Sequence, residues 1–592
     1  MSHAPHNIDT LTAAYFTRPT DLPFSPPPGE TAPEQWAPRD LGPNDVEAFI
    51  DGLAYFTAVE NEIDQLIAGP VGAGFFYCTA WWLGLVSTPA TVRIRSFDKS
   101  IGKIAATVGI DLQDEFTRNL GQDEFKLPSG TPLRSKLAQL IGRKVDVRIL
   151  AWTSPFAPKY KPVADLLGGL TDLNLHTILS VDSLRRIYGP AGQNKILLNT
   201  CAHPLGAAHA KMIVCGSANR LAAFTGGLDA APGRMMPVPW ALASPTRGWH
   251  DVAVRVQGPA AGAMHNFFRS LWNEQLKQPI DTFVLDDQQI PTHFADSPPV
   301  PAAPAPPAVV GPRQRVQVLR TVPQMKFSAA GPERLGPSAA QRWLLTTAAG
   351  FRRAPITFAP DGIFEFHVAL RKAISQATRY IFIADQAFSS QEVMGWLNAR
   401  LIQQPGLKVI LVHGADPADP PSGLLNHAVN NFLLPHLPGV GGNPNNVMVC
   451  GWAGVTVHSK VVIIDDQWCA VGSANCMRRS HFTDIELSIA VLDEDEPGFA
   501  QRLRRDLWAR YCGVPLPGES IVFSYDDELT ALLDLNRALG IWKPAWGSGA
   551  ALPMAAHLLG SVQPYPLPMP APTIAYSEAA YDAQDIDSRK VV

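Results

Sequence analysis

Charge is scarce in this chain and evenly split. Only 17% of its 592 residues are Asp, Glu, Lys or Arg, and 49 basic residues stand against 53 acidic ones, for a formal net charge of −4. Such a chain has no overall basic field to hold a nucleic-acid backbone, although a local patch stays open because net charge hides asymmetry. No apolar run approaches about 20 residues, the length that spans a bilayer, so membrane contact is expected to be peripheral. The polar, Pro-rich N-terminus lacks a basic stretch leading into an apolar one. With no Sec-type signal visible, the protein is expected in the cytoplasm or exported by a Sec-independent route. Neither a CxxC pair nor a Cys/His zinc spacing occurs among the seven cysteines, Cys78, Cys201, Cys215, Cys450, Cys469, Cys476 and Cys512. Most sit in apolar runs and read as buried free thiols in a reduced chain.

What the chain has is size and repetition. At 46% hydrophobic it can hold two or more domains with cores of their own. Eight prolines interleaved with alanine in residues 291–312 mark an extended linker. The expected division is an N-terminal extension (1–43), a first half (44–290), the linker (291–315), a second half (316–522) and a Pro-rich tail (523–592). Before the linker, Phe49, Leu53, Phe56, Val59, Ile63 and Leu66 carry helical periodicity over 47–66, and Phe75-Phe76-Tyr77-Cys78 reads as a strand ending at Ala80-Trp81-Trp82. After it the order returns: Phe364, Val368, Leu370, Ala373 and Ile374 on a helix, then the strand Tyr380-Ile381-Phe382-Ile383 ending at Asp385-Gln386. Each half then offers a second strand, at 145–150 and 407–412. Helices alternating with near-continuous apolar strands predict an α/β sandwich with its sheet buried on both faces, built as a duplicated domain.

Two segments carry the same chemistry: His209-Ala210-Lys211 and His458-Ser459-Lys460. Residues i and i+2 of a strand share a face, so each His and Lys would point the same way. Gly226-Gly227-Leu228-Asp229 follows the first and Gly472-Ser473-Ala474-Asn475 the second. Asp251 and Glu486 stand at the heads of later strands, one in each half, where each could orient an imidazole through its other ring nitrogen. One His-x-Lys is usually a surface pair; two with matching turns and carboxylates describe one site with paired halves. An imidazole can attack phosphorus or protonate a leaving oxygen, and two ammonium groups can neutralise the phosphate oxygens. No metal or cofactor is needed for that chemistry, and none is expected.

On these residues the chain resembles the phospholipase D superfamily, whose signature is His-x-Lys-x-x-x-x-Asp twice per active unit. His458-Ser459-Lys460-Val461-Val462-Ile463-Ile464-Asp465 matches it in full and continues through Gly472, Ser473, Asn475, Arg478, Arg479, Ser480, Asp484 and Glu486. Flanking matches extend over most of residues 47–512. The resemblance implies a pseudo-twofold site between two halves, complete in a monomer, and a covalent phosphohistidine intermediate. His209 is then the nucleophile and His458 the proton donor, with Lys211, Lys460 and Asn475 on the phosphate. Asp229 and Ser473 are placed with the phosphate contacts, Ser473 also reading as a turn residue with a supporting hydroxyl. Asp251 and Glu486 orient the imidazoles, and Asp465, Gly226, Gly227 and Gly472 shape the motif.

The first motif departs from the signature: Gly216 stands where Asp is expected, and about three extra residues precede the Gly-Gly turn. A carboxylate at that distance reads as shaping a turn, so Gly216→Asp is expected to leave turnover intact or raise it. Trp81, Trp82 and Trp240 suit either a head-group surface or the core. His203 and His250 either line the pocket or pack, and Arg478-Arg479 either reach phosphate or cap a helix. The substrate expected is a glycerophospholipid at a membrane surface, cleaved by phospholipase D hydrolysis with head-group exchange as a variant. The alternatives are a nuclease or other phosphodiesterase of the superfamily, and a phospholipid-binding protein with an impaired first motif. By the same resemblance, some such lipases are effectors delivered into rival cells.

Overall fold

The computed structural model describes residues 7–18, 39–87, 123–153, 169–202, 206–235, 249–307, 314–323, 355–414, 446–511 and 526–540, apart from 286–287, 361, 453–454, 494 and 496 within them; residues 21, 309, 514–517, 542 and 562–564 are also described. His203, Trp240, Cys512 and most of the Pro-rich tail lie outside these residues.

The first half contributes β1 (Leu41–Ile50), β2 (Phe75–Ala80), β3 (Asp146–Trp152), β4 (Ile196–Asn199), β5 (Met212–Ser217), β6 (Arg220–Gly226), β7 (Trp249–His250) and β8 (Val252–Gln257). A small hairpin follows, β9 (Thr282–Leu285) with β10 (Gln288–Pro291). The second half contributes β11 (Gln314–Val322), β12 (Ile363–Phe364), β13 (Tyr380–Asp385), β14 (Lys408–Gly414), β15 (Val447–Trp452), β16 (Thr456–Val457), β17 (Lys460–Ile464), β18 (Trp468–Gly472) and β19 (Glu486–Leu492), and β20 (Val562–Pro564) adds a late edge strand. The main sheet runs β20-β15-β14-β13-β17-β18-β19-β11-β1-β8-β6-β5-β2-β3-β4. Read outward from the central β11–β1 pair, β11-β19-β18-β17-β13-β14-β15 repeats β1-β8-β6-β5-β2-β3-β4 strand for strand. The parallel neighbours fall at the same places, β2–β3–β4 and β13–β14–β15.

Both faces of this mixed α/β sheet are covered, as the near-continuous apolar strands predict. One face carries a core shared by the two halves. Helices Pro259–Gln275 and Phe499–Tyr511 bring Met264, Phe268, Trp272, Leu503, Leu507 and Trp508 onto Val214, Val254, Val461 and Val471. The other face has two separate cores, one under Asp51–Ala68, Leu133–Gly142 and Gly169–Tyr188, the other under Glu365–Gln376 and Gln391–Gln403. Strand β5 shows why: Met212 and Val214 enter the shared core while Ile213 and Cys215 enter the first-half core, the alternation of a pleated strand. The six described cysteines are buried and free.

Several elements differ from the sequence reading. The helix expected from residue 47 begins at Asp51, because residues 45–50 pair with β8 and Asp51 takes a left-handed φ of 67° that turns the chain out of β1. The N-terminal extension holds a helix, Ile8–Tyr15, whose Leu11 and Tyr15 join the second-half core. Over residues 298–300 the linker lies on the first half: Pro298 O accepts from Arg148 and Trp272, and Val300 O from Arg269. The start of the tail folds as Asp526–Leu533 and Leu535–Gly540, which bury Leu529, Leu532 and Leu535 in the shared core. No described helix is long and apolar enough to cross a membrane.

Candidate active site

The two His-x-Lys segments lead into β5 and β17, which stand at matching places on either side of the central β11–β1 pair, and each is fastened to the other half. His209 N and Ala210 N donate to Ile485 O (2.9 and 2.7 Å), just before β19. His458 N donates to His250 O at 2.8 Å, where β16 pairs in parallel with β7. Each histidine therefore meets the carboxylate of the opposite half. His209 Nδ1 lies 3.0 and 3.1 Å from the two oxygens of Glu486, and His458 Nδ1 lies 2.6 Å from Asp251 Oδ2. Both Nε2 atoms are left to face the site.

Lys211 and Lys460 repeat one posture. Each ammonium donates back to the carbonyl of its own motif histidine, at 3.0 and 2.5 Å. Lys211 also lies 3.5 Å from Asp229 and over the Trp81 ring at 5.4 Å. The field of Lys460 is balanced chiefly by Asp251 and Asp385. Asp385, at the end of β13, accepts from Ala387 N and Cys476 N, both at 2.7 Å. Its role was not visible in the sequence, where it reads only as the end of a strand.

Burial governs the electrostatics. It pushes both imidazoles well below their ordinary value of 6.5, helped by the neighbouring lysines. It pushes Asp251 and Glu486 up to about 7 against the pull of those lysines, and lowers Lys460 to about 8. Each imidazole and its carboxylate therefore titrate as a coupled pair.

Two residues placed with the phosphate contacts sit elsewhere. Ser473 is fully buried, and its hydroxyl donates to Glu486 at 2.5 Å; Ser480 donates to the same carboxylate at 2.7 Å. A hydroxyl behind the carboxylate cannot also face the substrate, so Ser473 supports Glu486. Asp229 accepts from Trp81 N and Trp82 N (3.0 and 3.1 Å) and turns its other oxygen to Lys211. Its two oxygens are thus engaged by the Trp81–Trp82 backbone and by the lysine. Asn475 remains at the site with a buried amide oxygen that no hydrogen bond satisfies.

The glycines make room. A Cβ on Gly227 would collide with both oxygens of Asp251, and one on Gly472 with Ser488 and Leu487 O. On Gly226 it would meet Ala253 at the same depth. Asp465 sits far from the imidazoles at the β17–β18 turn with φ 56°. Its carboxylate accepts from Thr378 N, Arg379 N and Tyr380 N at 2.6–2.8 Å, locking the start of β13. The matching place in the first half is Gly216, opposite Phe75 on β2, with no carboxylate. The extra residues there lengthen β5 and β6 rather than the turn.

Of the residues left open, His250 is a packing residue, bonded to Asp51 at 2.7 Å and Tyr511 at 3.1 Å. Arg478 pairs with Glu392 and Arg479 with Asp484, at 2.7 and 2.9 Å. Trp81 stands edge-on to His209 (5.6 Å), and Trp249 packs on His458 (4.6 Å). The sequence reading missed Arg234, a guanidinium buried between Trp82 and Trp249, because it belongs to no motif.

Fold and site together define a mixed α/β protein with two His-x-Lys strands sharing one centre. Residues 370–510 match the family described as "Cardiolipin synthase, PLD-like domain". No curated protein matches the chain. Among solved structures, it is similar to phosphatidylserine synthase from Haemophilus influenzae Rd KW20 (12% identity, 84% of this chain and 94% of that one, TM-score 0.41). It is also similar to polyphosphate kinase from Porphyromonas gingivalis (11%, 79% and 46%, 0.34) and to the phospholipase D family member Nuc from Salmonella typhimurium (15%, 33% and 94%, 0.21).

Proposed function

We propose that the protein is a phospholipase D that hydrolyses the head-group phosphodiester of glycerophospholipids through a phosphohistidine. The observation that carries this reading is the crossed pair of imidazoles, each held at Nδ1 by a carboxylate of the other half and each flanked by a lysine. Neutral His209, the more open of the two at 13% side-chain exposure against 4% for His458, attacks phosphorus through Nε2. The bond from phosphorus to the head-group oxygen breaks as His458, which takes up a proton when the phosphodiester anion binds beside it, delivers that Nε2 proton to the oxygen. His458 then takes a proton from water, the new hydroxide attacks phosphorus, and the phosphorus–nitrogen bond breaks. Phosphatidic acid leaves and both histidines return to their starting states. Lys211, Lys460 and the Asn475 amide neutralise the oxygens around the five-coordinate centre. Asp251 and Glu486 position the rings and steady the positive charge that forms on them.

An alcohol in place of water gives head-group exchange by the same steps. The family matched by residues 370–510 bears the name of a phosphatidyl-transfer enzyme, which favours an alcohol acceptor as the second reading. The working unit is a monomer, with no metal or cofactor in the cycle. The test is head-group release from mixed-lipid vesicles in EDTA, wild type beside His458→Ala, with glycerol offered as acceptor in one arm and single-stranded DNA in another. Release that vanishes in the variant supports the proposal. Lipid-to-glycerol transfer without hydrolysis selects the second reading, and cleavage of DNA alone would sink both.

A further inference from the structure

Arg234 is one of the most buried cations among the described residues, at 1% exposure; Asp229 and Asp251 are near enough to act on its charge, yet among the described residues its Nε and Nη1 have no hydrogen-bond partner. Other deeply buried arginines are engaged. Arg148 bonds Asp146 and Pro298 O, Arg185 bonds three backbone carbonyls, and Arg504 bonds Asp466 and Leu532 O. Buried N–H donors without an acceptor are costly to keep, so their retention asks for an acceptor that arrives from outside.

The setting of Arg234 says what kind of acceptor. The guanidinium lies over the Trp249 ring at 3.2 Å and near the Trp82 ring at 4.9 Å. Trp82 is itself fixed, its indole N–H donating to His176 at 3.1 Å and its backbone N–H to Asp229. With the faces taken by indoles, only the donor edge is available, and that edge fits the two oxygens of a carboxylate or phosphate. Its position says which part of a substrate would meet it. Trp249 also packs on His458, the group assigned to protonate the departing alcohol, so Arg234 stands one indole away on the head-group side.

We propose that Arg234 anchors a second negative group on the substrate's head group, so that the enzyme prefers lipids whose head group carries a carboxylate or a further phosphate. This rests on the phospholipase D reading, with His458 on the leaving-group side.

The test compares wild type with Arg234→Gln and Arg234→Lys. The substrates are phosphatidylcholine vesicles doped with phosphatidylserine, cardiolipin or phosphatidylethanolamine, scored by head-group release. Arg234→Gln should lose roughly 10- to 100-fold on phosphatidylserine or cardiolipin, the size expected for a charge-assisted contact, and less than about threefold on phosphatidylethanolamine and phosphatidylcholine. Loss on phosphatidylserine alone names a carboxylate, on cardiolipin alone a phosphate. Arg234→Lys, which keeps charge without the fork, should fall between, and it replaces Arg234→Gln if that variant fails to fold. Equal loss on every lipid, no loss on any, or an Arg234 requirement seen only with single-stranded DNA would overturn the proposal. A second readout does not need turnover: His209→Ala protein titrated with glycerophosphoserine and glycerophosphocholine, followed by melting temperature. Stronger stabilisation by glycerophosphoserine, abolished by adding Arg234→Gln, supports the anchor, and equal stabilisation by the two overturns it. If wild type and His458→Ala release head groups alike, the hydrolase reading fails while this binding arm still decides Arg234.

Discussion

His458 Nδ1 lies 2.6 Å from Asp251 Oδ2, although 207 residues separate them in the chain. The carboxylate at the head of β8 serves the histidine before β17, and the one at the head of β19 serves the histidine before β5. Neither motif histidine is held by the carboxylate of its own half. The parallel pairing of β7 with β16 and the bridge of Ala208 to Ile485 impose this crossing by running each motif against the other half's carboxylate strand.

The crossing has a spectroscopic consequence. Asp251→Asn should shift the imidazole resonances of His458 and leave those of His209 nearly in place, and Glu486→Gln should do the reverse. Each change should also lower turnover by roughly 100-fold or more through misorientation of its ring. An Asp251→Asn protein whose shifts fall on His209 would refute the crossed assignment.

Gly227 is where the chain leaves room for that contact. A methyl there meets both Asp251 oxygens, so Gly227→Ala should displace the carboxylate and cost on the order of 100-fold in kcat. The readout is kcat beside melting temperature; wild-type turnover in this variant would show that Asp251 tolerates displacement.

Gly216 has a different outcome from the one its sequence context suggests. A side chain there collides with Arg220 O and presses on the Phe75 ring, which fills the space beside β5. Gly216→Asp should therefore destabilise the β5–β6 hairpin by about 1–3 kcal/mol rather than raise turnover. Chemical denaturation measures it, and unchanged stability would show that the hairpin yields.

The pH profile follows from the buried charges. As pH falls through about 7, Asp251 and Glu486 take up protons and no longer draw on the imidazole N–H. As pH rises through about 8, Lys460 loses the charge that neutralises the phosphate. The rate kcat/KM should therefore form a narrow bell with limbs near 7 and 8, falling about tenfold per unit on the alkaline side and more steeply on the acid side, where two carboxylates titrate. A profile flat from pH 6 to 9 would contradict both assignments.

Chelation should leave the rate intact, because lysines and not a metal supply the positive charge. Assay in EDTA after dialysis checks this, and complete loss restored by a divalent cation would reject the metal-free cycle.

Much of the fold was legible because it is local. Apolar periodicity located the helices near 51–68 and 365–376 and the strands at 75–80 and 380–385, with errors confined to ends. The first four residues expected as helix are strand because β8 claims their backbone, a partner that periodicity in one segment cannot reveal. The His-x-Lys pairs could be found because strand geometry puts i and i+2 on one face. Ser473 and Asp229 were misplaced for the opposite reason. Each is next to the site in sequence, but which way its oxygen points depends on Glu486 for one and on Trp81, Trp82 and Lys211 for the other.

By itself, then, the sequence determined the chemical inventory: two imidazoles, two ammonium groups, two carboxylates and the glycine-lined turns between them, together with the mixed α/β class. The tertiary structure alone decided which carboxylate holds which histidine, which partners Ser473 and Asp229 take, and that Arg234 stands beside the site with unsatisfied donors. The physical reason is that types and short-range periodicity are written along the chain, whereas hydrogen-bond partners 200 or more residues apart are chosen by strand pairing and burial when the halves close on one another.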